Sequence, residues 1–323
     1  MSKHAISPHV QDLPVVTVNV FPGGFNWGLY VGQDKGFFAE HGIRVEIQAT
    51  PNSVTQMTDF AWEKFDIAMT AIDNIVAYVE GQGEAPIGPQ PDFAAVMGSD
   101  SGFLSLVASP SISRVENLAG KTLSVDAMTT GYAFVLYEIM RRNGLDKDKG
   151  DYTIVRAGGM AQRWNALRAG EHAATLLSAP YNIMAKNAGF CEIVKAIATI
   201  GPYQGNVAAV RRNWARQNAS KVTAYIRGYR HSIAWLYEPS NRAEAIEILQ
   251  RNLPQMPGEI AQASYAELLD PLRGFSRNCE IDRDGLDCVL KLRSRYGLPS
   301  RLLNDPEKYC DLSFSQEVCY KPR

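Results

Sequence analysis

One kind of unit occurs twice in this chain, and the repetition limits the folds open to it. Residues 53–75 read SVTQMTDFAWEKFDIAMTAIDNI, and residues 158–183 read GGMAQRWNALRAGEHAATLLSAPYNI. Each runs from a polar helix start through an amphipathic helix and a tight turn into a short apolar strand, then into a second helix start. Two such units about 105 residues apart predict two lobes of similar build. A small molecule would sit between them, where strand ends and helix N-termini converge.

The remaining segments extend the alternation. Residues 13–21, 43–49 and 65–71 are expected strands of a first lobe, followed by 93–99. The segment NWGLYVGQDKGFFAEHG is expected as one helix ending at Gly42, and Ser53 as the N-cap of the next. Strands at 103–109, 121–126, 152–157 and 192–198, with a short one inside 158–183, belong to a second lobe. Thr129 or Thr130 starts its first helix and Gly144 closes it. GPYQGNVAAVRR is read as the return crossing, and residues from about 213 as a helical block capping the first lobe. The resulting class is α/β, each lobe a mainly parallel sheet flanked by helices, with a helical C-terminal extension. Lobe one takes residues 12–101 and 205–323, and lobe two takes 102–204.

At 323 residues the chain is long enough for both lobes, and 33 basic residues against 34 acidic leave no basic face for nucleic acid. No apolar run approaches the roughly 18 residues of a membrane span. The opening MSKHAISPHVQDLP has no apolar h-region, so the expected location is cytoplasmic if the chain is complete and periplasmic if a leader has been removed. Cys279, Cys288, Cys310 and Cys319 lie in the last 45 residues; they form either two disulfides or free thiols. No metal-ligand spacing accompanies them, so neither a metal nor another cofactor is expected.

Four strand-to-helix turns qualify as ligand contacts, because the first N–H groups of a helix lack internal partners and carry partial positive charge. The first holds Asn26 and Trp27, beside Phe25. The second holds Asn52 and Ser53, the third Thr70 and Asp73. The fourth, Asp126 with Thr129, Thr130, Gly131 and Tyr132, places two hydroxyls and a glycine at one helix start. Each set has a structural alternative in capping or core packing. Arg156 at a strand end would pair with a carboxylate or sulfonate if it points inward, and Tyr181 would stand at the cleft. No catalytic residue is assigned: the five histidines are scattered, and GxSxG, HExxH and P-loop patterns are missing.

GLYVGQDKGFFAEHGIRVEI, KFDIAMTAIDN, VENLAGKTLSVDAMTTG and ALRAGEHAATLLSAP occur in that order. Together they resemble the type 2 periplasmic binding proteins of the nitrate, sulfonate, taurine and thiamine-precursor group. The resemblance covers roughly residues 14–240. Where that family usually has an acidic residue in the lobe-two turn, this chain has His172. The resemblance implies a substrate-binding protein that closes about a hinge, delivers its ligand to an ABC permease and acts as a monomer. The ring faces of Phe25, Trp27, Tyr132 and Tyr181 favour a small polar or anionic ligand with a flat or apolar part, such as an aromatic carboxylate, a sulfonate or a pyrimidine. The alternative is a cytosolic enzyme on the same fold, a decarboxylase or synthase. Pyrimidine-precursor synthases of this fold carry a cysteine-rich iron motif, which this sequence lacks.

Overall fold

The computed structural model describes residues 11–271 and 273–320, apart from the side chains at 317, 319 and 320. The polar N-terminal stretch with His4 and His9, and the Cys319 side chain, lie outside the described residues. In chain order, the first half comprises β1 (Val15–Val20), α1 (Trp27–Asp34), α2 (Phe37–Glu40), β2 (Arg44–Ala49), α3 (Ser53–Ala61), β3 (Ile67–Ala71), α4 (Ile72–Val79), β4 (Phe93–Gly98), β5 (Ser105–Ala108) and β6 (Thr122–Val125). Then come α5 (Gly131–Arg142), β7 (Thr153–Arg156), α6 (Met160–Arg168), β8 (Ala174–Leu177), α7 (Tyr181–Asn187), β9 (Cys191–Lys195), α8 (Ala196–Ile200), β10 (Asn206–Arg211) and α9 (Arg212–Gln217). The C-terminal block holds α10 (Ala219–Leu236), α11 (Arg242–Asn252), α12 (Gly258–Leu268), α13 (Arg283–Tyr296) and α14 (Ser313–Tyr320).

Two five-stranded sheets result, with the orders β2-β1-β3-β10-β4 and β7-β6-β8-β5-β9. The orders are equivalent. In each, three parallel strands come first, and the strand arriving from the other sheet inserts antiparallel beside the third. Both inserted strands carry a register shift, at Ala208/Ala209 and at Leu106/Val107. The two-lobed α/β architecture expected from the repeated unit is therefore present.

Several local expectations change. The helix expected to run to Gly42 is two helices, broken at Gly36, whose φ of +75° lies in the left-handed region. Asn52, not Ser53, caps α3: its side chain accepts from the Thr55 N–H at 2.8 Å. The strand expected at 192–198 ends at Lys195, and Ala196 begins α8. The return crossing contains β10, whose six residues are all buried between β3 and β4. Cys288 and Cys310 carry free thiols, so the four late cysteines do not form two disulfides.

The C-terminal block covers more than the first lobe. α10 and α11 pack on α1, but α12 reaches α7 of the second lobe, and α13 wedges between α4 and α5, one from each lobe. Arg293 of α13 is fully buried; its guanidinium holds both carboxylate oxygens of Asp73 (2.7 and 2.6 Å) and donates to the Thr129 carbonyl across the lobe boundary. The crossings are tied by buried Asp100, which accepts from the Asn206 backbone and side chain (3.0 and 2.9 Å) and from the Gly102 N–H (2.8 Å).

Candidate functional site

The carboxyl ends of β1, β3 and β6 and the starts of α3, α5 and α6 converge between the sheets, where a cavity of about 60 Å³ remains. Lobe one contributes Phe21, Phe25, Ser53, Ala71, Asn74 and Asn206; lobe two contributes Asp126, Thr130, Gly131, Tyr132, Gly159, Met160 and Arg163. The lobes touch directly around it. The Ser53 N–H, at the start of α3, donates to Asp126 Oδ2 at 3.1 Å, so a lobe-two carboxylate sits on the positive end of a lobe-one helix. A Cβ on Gly131 would stand 2.5 Å from the Asp73 side chain, so only glycine allows this approach.

Arg163 is the distinctive group. It lies in the first turns of α6, 3% exposed, yet its side chain makes no hydrogen bond or ion pair among the described residues, and its Nε is sealed from solvent without a partner. Burial lowers its pKa, with Asp126 and then Tyr132 acting in the opposite direction; a guanidinium nevertheless stays protonated at any ordinary pH. A buried cation with no hydrogen-bonded acceptor is costly. Asp126 Oδ1 is likewise buried without a donor. Burial, then Arg163, depresses His172 to a pKa of about 4, and its Nε2 lies 2.9 Å from Ser124 Oγ. The imidazole is therefore neutral at ordinary pH and adds no charge beside Arg163.

Sequence reasoning placed Ser53, Asp126, Thr130, Gly131 and Tyr132 at the cleft, and all five line the cavity. Thr130 is also the N-cap of α5, accepting from the Ala133 N–H. The other candidates lie elsewhere. Trp27 points into the lobe-one core, where its indole N–H finds the Ala245 carbonyl at 3.0 Å and its ring meets Tyr265 edge-on. Thr129 turns its backbone to Glu84 and Arg293. Trp27 and Thr129 thus share no common cavity. Asn26 is buried, donating to the Phe21 carbonyl and Tyr30; Asn52 is spent on its cap; Thr70 accepts from Asn74; Asp73 is held by Arg293. Tyr181 is buried outside the cavity lining. Arg156 is largely exposed and pairs with Glu84 across the lobes at 3.0 Å. The buried cation is Arg163, which sequence reasoning passed over. A signal was available: Met160, Arg163, Trp164 and Leu167 follow the i, i+3, i+4, i+7 pattern of a buried helix face, so this arginine occupies an apolar-stripe position.

A larger cavity of about 300 Å³ lies behind the crossings. Three of its charged residues have protein partners, Glu267 with Asn182 and Arg273 and Asp270 with each other, so its polar groups ask less of a ligand.

A model of NMT1/THI5-like proteins matches residues 26–243, about two thirds of the chain. The chain belongs to the NMT1/THI5-like family. Apart from Phe21 and Phe25, the cavity lining falls within the matched span, as do both repeated units; α12, α13 and α14 lie beyond it. Over 214 residues this family member is 24% identical to YtlA, a candidate binding protein of Bacillus subtilis (strain 168); the match takes in 64% of this chain and 61% of that protein. Among solved structures, it resembles the periplasmic nitrate-binding protein NrtA from Synechocystis PCC 6803, with TM-score 0.79 and 13% identity, over 95% of this chain and 89% of that one. It also resembles the alkanesulfonate-binding protein SsuA from Xanthomonas axonopodis pv. citri bound to MOPS, with TM-score 0.71 and 12% identity, over 90% and 95%. At these identities the likeness establishes the fold, that of the periplasmic binding proteins. Among the described residues, no helix is long and apolar enough to cross a membrane.

Proposed function

We propose that this protein is a solute-binding protein whose cleft takes a small organic anion for ABC-type uptake. The observation that carries the reading is Arg163: a buried guanidinium with no protein partner, lining a cavity built from both lobes. A carboxylate, sulfonate or phosphonate supplies the missing acceptor in a bidentate geometry. The α6 N-terminus, where Gly159 provides no side-chain cap, adds to the positive field.

The lobes, residues 12–101 with 205–323 and residues 102–204, close on the ligand about the two crossings. Contacts to Ser53 and Phe25 from one side and Arg163 and Tyr132 from the other exist together only in the closed form, so binding shifts the population toward closure. The closed monomer is then the form an ABC permease recognises, in the periplasm. The binding proteins whose folds it shares support this reading.

A thermal-shift screen of small carboxylates, sulfonates and phosphonates, followed by calorimetry, tests it. An acid should raise the Tm and be recovered unchanged, and Arg163→Gln should weaken its binding about 100-fold or more. Unaltered affinity in R163Q, or conversion of the acid to a product, would overturn the proposal.

A further inference from the structure

The cleft holds a second charge that a simple anion does not satisfy. Asp126 faces the same cavity of about 60 Å³ as Arg163. Its Oδ2 accepts one N–H, from Ser53, while Oδ1 has no donor. Asp126 makes no ion pair among the described residues, with Arg163 or with any other cation. Opposite charges this near attract strongly in a low-dielectric space. Asp126 follows β6 and Arg163 stands on α6, and no salt bridge joins them among the described residues. The space is worth about four to six water-sized groups. An acid bound to Arg163 in so small a volume brings its own negative charge within a few ångströms of the Asp126 carboxylate, and that repulsion offsets much of the gain.

We infer that the ligand is amphoteric: an acid group on Arg163 and, a short apolar spacer away, an ammonium or N–H donor on Asp126. Such a molecule pairs both buried charges at once and keeps the closed cleft neutral, whereas a simple anion leaves it net negative. Phe25 and Met160, which line the same cavity, suit the spacer. This inference rests on the reading of the cleft as an anion site and adds the second half of the recognition.

Matched pairs of compounds test it by calorimetry at pH 7: β-alanine against propionate, and 2-aminoethylphosphonate against ethylphosphonate. In the unaltered protein the amine-bearing member should bind at least about tenfold more tightly. Asp126→Asn keeps an acceptor for the Ser53 N–H and should shrink that preference to within about threefold, while Arg163→Gln should weaken both members. Equal binding of the two members, or a preference unchanged in D126N, overturns the inference and leaves the anion site standing. Failure of all four acids to bind removes both. If D126N loses its fold by circular dichroism, the comparison within the unaltered protein decides.

Discussion

His172 shows how one buried side chain ties the site to pH. The unfolded chain takes up a proton on this residue near pH 6.5, whereas the folded protein resists until about pH 4, because burial and the neighbouring Arg163 both oppose an imidazolium. Acid therefore favours the unfolded state. Above pH 6.5 the residue contributes no pH dependence; between about 6.5 and 4 it should remove on the order of 3 kcal/mol of stability. Denaturant titrations at pH 7 and pH 4.5 should show a smaller loss for His172→Gln than for the unaltered protein. Identical slopes would mean that the imidazole is not held neutral. His172 and Arg163 also mark where residue types mislead. Both are polar letters in a polar-looking stretch, and both are buried: Arg163 because the first turns of α6 face the cleft, and His172 because its ring turns in to Ser124 of β6. Composition hides this, whereas helical phase reveals it for Arg163.

At the scale of elements, most of the fold was legible. Each strand with β-branched content between turn signals appears within a few residues of its expected place. β10 was lost because NVAAVR is wholly buried in the middle of a sheet, so it lacks the alternation that marks a half-exposed strand. Trp27 was misplaced for a related reason: α1 is covered by α11, far along the sequence, and no local pattern announces a cover 218 residues away. At the start of α5, Gly131 comes up close against Asp73 of α4. Gly131→Ala places a methyl against the Asp73 side chain, which Arg293 prevents from yielding. This substitution should cost about 1–3 kcal/mol in thermal or chemical unfolding, or open the lobes to a larger radius of gyration in solution scattering. A G131A protein unchanged in both would show that the lobes are not in contact there.

The whole molecule is held by polar ties that cross between the lobes: Ser53 with Asp126, Glu84 with Arg156 and Thr129, and Arg293 with Asp73 and Thr129. The last uses a residue beyond the family match, so the C-terminal extension takes part in joining the two lobes. Nothing in the sequence of α13 identifies Arg293 as buried beside Asp73, since their meeting depends on tertiary wrapping over 220 residues. Arg293→Met should destabilise the protein by about 3–5 kcal/mol because it strands a buried carboxylate. Adding Asp73→Leu should recover much of that loss in the same unfolding assay. Equal stability of R293M and the unaltered protein would exclude a structural role for the pair.

What occupies the space beside Arg163 decides how the cleft works. A crystal structure of the complex with the tightest-binding acid measures this directly. The acid group should lie within hydrogen-bonding distance of the Arg163 guanidinium, between Phe25 and Tyr132, with the lobes closed over it. An acid bound elsewhere, with Arg163 still unpartnered, would contradict it.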